Sequence, residues 1–339
     1  MKNKNNDFYF EIDLKLKKGK QIILDLASAR LLYYISKTGT ILKAAKILGI
    51  SYSKAWIMLE RIEKSLGERI INKQRGGKIR GYSILNENGD RILNVYIKKL
   101  SSLGMHIEEP RILYEPEIMI IGSDDTLLRS ILKDFNQKTK TSAEYEVIGS
   151  VGGILHILLG DADIVVAHIY DPQTDEYNVP YIQKLGLEKE VTIFRGYKRT
   201  LVLASKKIRS KNIEDCINKY KTIATRSIGS GTRIFLDYLL KKCPKAAKPK
   251  IISFRTHEET VKAVLNDRAE ACFTIEYEAY RHGLEYIKVK DEQFDFIVPK
   301  NKANKKTLKI FFDYLNQIKK EINRTVGYKT PKNFLHSIP

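Results

Sequence analysis

The chain has 339 residues, a formal net charge of +20, and 43% hydrophobic and 29% charged residues. That length permits two or three domains with real cores, and the composition excludes a disordered or collagen-like chain. No apolar run approaches the ~18 residues of a membrane span. Met1 to Asn6 is polar, and Cys216, Cys243 and Cys272 form no CxxC pair, so the expectation is a cytoplasmic protein with no membrane partner, signal peptide, zinc site or disulfide framework.

The positive charge is uneven. Lys37 to Arg80 carries 11 basic against 3 acidic residues, the footprint expected of phosphate contacts. Phe8 to Leu16 alternates apolar and polar side chains and predicts a half-buried strand, with Gln21 to Leu24 returning beside it after Gly19. Ser28 to Ser36 reads as a helix with Leu31, Leu32 and Ile35 on one face. Thr40 caps a second helix, Ile41 to Leu48, which Ala44 and Ala45 let pack closely and Gly49 ends. Ser51 caps a third, in which Ala55, Met58, Leu59, Ile62 and Leu66 form one apolar stripe.

Ser53, Trp56, Ile57 and Glu60 are predicted on the face opposite that stripe. Ser51, Tyr52, Ser53, Lys54 and Trp56 occupy the half of the helix that would read a major groove. Trp56 has a second reading, as packing against a neighbouring element. After Gly67, Arg69 to Asn72 and Tyr82 to Leu85 predict a hairpin whose tip is Gly76-Gly77. Its Lys73, Arg75, Lys78 and Arg80 would grip phosphate. Asn86 to Leu103 predicts an amphipathic helix with Ile92, Leu93, Tyr96, Ile97 and Leu100 on one face. That face is either core or a dimer surface, and the dimer is preferred because DNA readers of this size commonly bind two half-sites.

A helix followed by a basic hairpin is how a winged helix-turn-helix presents itself to double-stranded DNA. The motifs Thr38-Gly39-Thr40, Ala44-Ala45, Leu48-Gly49, Ser51-Tyr52, Ala55-Trp56, Arg75-Gly76-Gly77 and Asn88-Gly89 together resemble the DNA-binding domain of the ModE family of molybdate-responsive regulators, over residues 8 to 103. This wing has Lys78-Ile79-Arg80 where the family often has a longer glycine run, so its expected role is phosphate contact. His106 to Pro116, with two prolines, reads as a linker.

From Glu117 the pattern becomes short apolar strands alternating with helices. Strands are predicted at 118–121, 144–148 and 163–167, then at 222–225, 251–254 and 271–275. The alternation implies parallel sheet flanked by helices, in two lobes with a cleft. The chain would cross near Thr200 and return near 294–298, and Thr307 to Ile322 would pack on the first lobe as one helix. Gly122-Ser123, Gly149 to Gly153, Gly229 to Arg233 and Thr256-His257 each open a helix. Together such N-termini make an anion site, with Ser123, Ser150, Ser230, Thr232 and Arg233 as added donors; singly each is an ordinary cap. Gly229-Ser230-Gly231-Thr232-Arg233 is the least ordinary of them. Asp124 and Asp125 would repel a dianion unless they turn away as caps.

Gly149-Ser150-Val151-Gly152-Gly153, Gly160-Asp161-Ala162-Asp163-Ile164, His168-Ile169-Tyr170-Asp171-Pro172, Glu176-Tyr177-Asn178 and the Gly229 to Arg233 loop resemble the periplasmic-binding-protein-like domain of molybdenum- and tungsten-related proteins, over residues 117 to 300. The expected architecture is an α/β chain: a winged helix-turn-helix at 1–105, a linker at 106–116, and a two-lobed domain at 117–339. Lobe I would hold 117–199 and 295–339, and lobe II 200–294. The resemblance implies a homodimeric, ligand-responsive regulator sensing a small anion, with molybdate or tungstate as effector and no covalent cofactor. Ligand contacts would come from Ser123, Ser150, Gly152, Gly153, His168, Asp171, Tyr177, Ser230, Gly231, Thr232 and Arg233, although His168, Asp171 and Tyr177 could instead brace a loop. The alternatives are a cofactor-biosynthesis protein holding a pterin or metal-pterin, and a sensor of a small carboxylate bound by Arg233. No GxSxG, HExxH or GxxxxGK[ST] motif is present, so an enzyme is not expected.

Overall fold

A computed structural model describes residues 13–73, 83–108, 116–242 and 249–338. They fall into two compact units, Met1–Tyr114 and Glu115–Pro339. No helix among the described residues is long and apolar enough to cross a membrane.

In the first unit, strands β1 (Leu16–Lys18) and β2 (Gln21–Leu24) pair antiparallel. The predicted strand at Phe8 to Leu16 lies mostly outside the described residues. Helix α1 (Leu26–Thr38) starts two residues earlier than its periodicity suggests, because Asp25 and Ser28 form a reciprocal capping box. Thr40 Oγ1 accepts from Lys43 N at 3.1 Å to start α2 (Ile41–Ile47), and Ser51 Oγ accepts from Lys54 N at 3.2 Å to start α3 (Tyr52–Leu66). Gly39 and Gly67 sit at φ 74° and 80° after α1 and α3, the left-handed conformation that ends a helix. A hairpin, β3 (Ile71–Lys73) with β4 (Ser83–Leu85), leads to α4 (Glu87–Ser102), capped by Asn86.

Ala55, Leu59, Ile62 and Leu66 of α3 join Leu31, Leu32 and Ile35 of α1 in one core. Ile92, Leu93, Tyr96 and Leu100 of α4 are buried in that same core. This corrects the preference for a dimer surface: α1 and the hairpin need a cover, and the α4 stripe supplies it. Val95, 49% exposed, lies off the stripe.

The second unit is built on one ten-stranded sheet. One parallel arm contains β5 (Ile118–Gly122), β6 (Ala143–Val147) and β7 (Ile164–Ala167), with helices α5 (Thr126–Thr139) and α6 (Ser150–Leu159) between them. A small hairpin, β8 (Tyr170–Asp171) with β9 (Glu176–Tyr177), and helix α7 (Val179–Lys184) follow. Then comes the 15-residue strand β10 (Val191–Ser205). After α8 (Ile213–Asn218), the second arm holds β11 (Thr222–Arg226), α9 (Gly231–Lys242), β12 (Lys250–Phe254), α10 (His257–Leu265) and β13 (Ala271–Ile275).

Helix α11 (Glu276–Arg281) leads into β14 (Glu285–Pro299), also 15 residues, which runs antiparallel beside β10. These two strands carry the sheet from one arm to the other, in the order β12-β11-β13-β10-β14-β7-β5-β6. The arms are therefore joined through paired backbone rather than through loops.

The predicted C-terminal helix is two helices, α12 (Lys306–Gln317) and α13 (Lys319–Arg324), meeting at Ile318. It packs on the first arm, where the Phe311 and Phe135 rings meet edge-on at 5.3 Å. Two short strands that the pattern did not suggest, β15 (Tyr328–Lys329) and β16 (Ser337–Ile338), then pair along β10.

Candidate functional site

The loops that open helices at the carboxyl ends of the strands meet between the two arms of the sheet. Val151 N, in the first turn of α6, donates to Gly229 O of the opposite arm at 3.2 Å. A Cβ at Gly231 would stand 2.2 Å from His168 O, also across the arms. The two faces are therefore in direct contact here, and the helix N-termini expected to offer free donors have found protein acceptors. Asp125 Oδ1 takes Leu128 N at 2.7 Å, Ser230 Oγ takes Arg233 N at 3.2 Å, and Thr256 Oγ1 takes Glu259 N at 3.1 Å.

The two aspartates after Ser123 behave differently. Asp125 is a cap, as one reading had it, and it also accepts from Tyr197 at 2.8 Å, Tyr328 at 2.9 Å and Arg199 Nη1 at 2.8 Å. Asp124 instead reaches across to the second arm. Its Oδ2 accepts from His257 N at 2.9 Å and lies 3.3 Å from Arg226 Nη1, while Arg129 of its own arm holds Oδ1 through Nε at 3.2 Å. Burial alone would raise the Asp124 carboxyl, but Arg226, Arg129 and the His257 N–H hold it below the usual carboxylate range.

Beside this pair lies a buried chain. Arg199 Nε donates to Glu292 Oε1 at 2.5 Å and Nη1 to Asp124 O at 2.7 Å, and the guanidinium stacks 4.7 Å from the Phe294 ring. His168 Nδ1 is 2.8 Å from Glu292 Oε2, and Nε2 is 2.6 Å from Ser123 Oγ. Ser123, His168 and Glu292 thus have the spacing of a nucleophile, a base and an orienting acid. Arg199 removes that function. Its Nη2 lies 2.9 Å from the same Nε2, so the lone pair that would take the serine proton is already shared with a cation. Burial pushes the His168 imidazole below its ordinary value, against the pull of Glu292, and Arg199 adds to the burial. The imidazole is neutral, with Nδ1–H on Glu292, and is a structural acceptor. Ser123 is bonded here and does not cap a helix as expected.

Ser123, Ser150, His168 and Gly231 are brought together: Ser150 Oγ accepts from His168 N at 3.3 Å. Thr232 is fully buried nearby on α9, and its Oγ1 has no hydrogen-bond partner among the described residues. Gly152 and Gly153 serve packing. A Cβ at Gly153 would come 2.8 Å from Gly122 Cα, so this glycine lets α6 lie against β5. Asp171 accepts from Lys184 Nζ at 2.7 Å and Gln173 N at 3.1 Å, which is the loop-bracing arrangement. Arg233 is tied to Asp237 at 2.8 Å and Ser253 at 3.1 Å, so its fork is not offered to a carboxylate. Tyr177 packs on Tyr170 at 5.3 Å with its hydroxyl buried, and lines a cavity of 460 Å³ on the joining strands with Arg195, Lys198 and Gln293. None of the residues that line that cavity belongs to the interface loops.

Sequence reasoning missed Arg226, Arg199 and Glu292, and named His257 only as part of the Thr256-His257 helix start. The one signal for them was an arginine ending the apolar strand Thr222–Arg226, where a buried cation needs a partner. Arg226 is 2% exposed, and its Nε and Nη1 make no hydrogen bond among the described residues; the same is true of His257 Nε2.

In the first unit, Ser53, Lys54 and Ile57 are exposed on the outer face of α3. Trp56 takes the packing reading and not the outward face: it is half-buried, packs on the unit's core and meets Tyr52 edge-on at 6.2 Å. Lys73 ends β3, and Arg75, Lys78 and Arg80 lie outside the described residues.

Over 86 residues, a quarter of this chain, it is 34% identical to "Transcriptional regulator ModE" of Yersinia pestis and 31% identical to "DNA-binding transcriptional dual regulator ModE" of Escherichia coli (strain K12). The chain spans a third of each of these relatives, 33% of their length. It is 28% identical over 225 residues to "Uncharacterized protein YvgK" of Bacillus subtilis (strain 168), covering 63% of this chain and 71% of that one. Among solved structures it is similar to the effector-binding domain of QuiR in complex with shikimate, with a TM-score of 0.45 and 14% identity over 60% of this chain and 97% of that one. The profile described as "PBP superfamily domain" matches residues 132–316, more than half of the chain. The chain belongs to the PBP superfamily.

Proposed function

We propose that this chain is a ligand-responsive transcriptional regulator of the cytoplasm and not an enzyme: a winged helix-turn-helix dimer on double-stranded DNA, controlled by a small oxyanion, molybdate or tungstate, in the cleft of its PBP-superfamily unit. The DNA-binding half is supported by the 86-residue similarity to ModE regulators and by the exposed Ser53 and Lys54 on α3. Arg75, Lys78 and Arg80 would add phosphate contacts. The sensing half is carried by one observation. Arg226 is buried between the arms with two nitrogens that make no hydrogen bond among the described residues, and on the same arm His257 Nε2 and the buried Thr232 Oγ1 also make none. A buried surplus of donors around a guanidinium is matched by a small anion. The Arg199 bond to His168 argues against hydrolysis.

The experiment is fluorescence anisotropy of the full chain on DNA from upstream of its own gene, with molybdate, tungstate or sulfate at fixed ionic strength. The expected outcome is a several-fold change in affinity with molybdate or tungstate. Identical binding curves in all three anions would remove the oxyanions as effectors.

A further inference from the structure

The second arm presents an anion-binding surface, and one of the chain's own carboxylates already sits on it. His257 N, at the N-terminus of the nine-residue α10, donates to Asp124 Oδ2 at 2.9 Å, and Arg226 Nη1 stands 3.3 Å from the same oxygen. Both donors belong to the second arm and the carboxylate to the first. Asp124 is 1% exposed. Arg226 Nε and Nη1 make no hydrogen bond among the described residues, so a single carboxylate in this position does not use all that the surface offers. A tetrahedral oxyanion presents more acceptor oxygens than a carboxylate does.

We propose that Asp124 is an internal stand-in for the effector: its carboxylate occupies the anion subsite formed by Arg226 and His257 N–H, and a bound oxyanion must displace it. This rests on reading the cleft as an anion sensor, and adds which residues bind the anion and what competes with it. The displaced carboxylate keeps a partner, because Arg129 on its own arm already holds Oδ1. Asp124 then joins the arms through the same groups that the effector would use. Effector affinity is lowered by the strength of that internal contact, which gives the sensor a threshold.

The test compares the wild-type chain with Asp124→Ala and Asp124→Asn, using melting temperature and titration calorimetry with sodium formate, acetate, molybdate and tungstate against chloride. In Asp124→Ala, formate is expected to restore several degrees of the melting temperature that the substitution removes, with no effect on the wild type. Molybdate or tungstate should bind this variant at least tenfold more tightly than they bind the wild type. Asp124→Asn keeps the shape and an acceptor for His257 N–H, so it should fold if the alanine variant does not, and should also gain oxyanion affinity. Adding Arg226→Gln to either variant should abolish the gain.

If formate rescues Asp124→Ala while neither chain responds to molybdate or tungstate, the stand-in holds and the identity of the effector fails. If the wild type binds molybdate or tungstate, both variants fold, and neither variant gains affinity or is rescued by formate, the stand-in fails while the sensor reading survives.

Discussion

Gly231 lies so close to His168 that a single methyl group there would overlap the His168 carbonyl at 2.2 Å and its Nδ1 at 2.6 Å. The two residues belong to opposite arms of the sheet, so their approach is a direct measure of how tightly the arms meet. Gly231→Ala should hold the arms apart without touching either core. Small-angle scattering should report a larger radius of gyration for the isolated variant chain than for the wild type, and any effector response on DNA should disappear. An unchanged scattering curve would show that the interface tolerates the methyl by local adjustment.

Arg199 is the hub of the buried chain, touching Glu292, Asp125, His168 and the Phe294 face. Removing one member of a buried ion pair leaves the other charge unsatisfied, which costs about 3–5 kcal/mol. Arg199→Met should therefore lower the unfolding free energy of the second unit, followed in urea, by about that amount. Arg199→Lys should recover little, since an ammonium cannot reach several acceptors with the planar fork. A urea midpoint within experimental error of the wild type would mean that the network adds nothing to stability.

His168 and His257 are both buried, and burial pushes both imidazoles below 6.5, His257 well below, with Arg226 and Arg199 adding to the effect at His257. A group with a depressed folded value binds fewer protons folded than unfolded, so stability is full above 6.5 and falls as pH drops below it. Each histidine contributes a slope of at most about 1.4 kcal/mol per pH unit in that window. Burial raises Asp295 and Glu278 and works in the opposite sense, from the ordinary 3.8 and 4.5 upward. Urea unfolding at pH 7.5, 6.5 and 5.5 should show a plateau followed by a decline. Flat stability down to pH 5.5 would contradict neutral buried imidazoles.

The DNA-binding reading of the first unit divides its residues by role. Arg75→Ala or Arg80→Ala should weaken binding to all sequences alike and reduce the salt slope by roughly one for each phosphate no longer touched. Ser53→Ala should change the preferred sequence with little effect on the salt slope. Trp56→Ala should lower melting temperature, because this partly buried side chain packs on the core. A sequence preference that shifts with Trp56 while stability is unchanged would restore it as a base reader.

The α4 stripe gives a clean test of core against dimer. Leu93→Ala should destabilise the first unit by about 2–5 kcal/mol, the usual range for a leucine in a packed core. The oligomeric state, followed by analytical ultracentrifugation, should not change under conditions where the variant is folded. Dissociation without loss of stability would return the stripe to the dimer interface.

Local signals were legible where their causes are local. Thr40 and Ser51 start helices because each bonds a backbone N–H three residues on, and Gly39 and Gly67 end them because a left-handed residue is needed there. The alternation of strands and helices from Glu117 pointed to the parallel arms for the same reason: burial on both faces requires continuous apolar runs. Ser123, Ser150 and Gly231 were picked out from loop position and His168 from a motif that resembles the periplasmic-binding-protein-like domain, and the structure brings them together. The α4 face was misread, since periodicity shows that a face is buried without showing what buries it.

What the amino-acid order determined by itself was most of the helices of the first unit, the strands of the parallel arms, the Thr40 and Ser51 caps and the basic stretch from Lys37 to Arg80, all set by interactions a few residues apart. What only the tertiary structure decided was the pairing of buried charges. Arg199 meets Glu292 across 93 positions, and Arg226 stands 3.3 Å from Asp124 of the other arm. Those pairs depend on β10 and β14 running side by side through both arms and on the arms closing. Opposite charges attract whenever they are brought close, so nothing in the order of residues marks which carboxylate Arg226 will face until the sheet has placed Asp124 there.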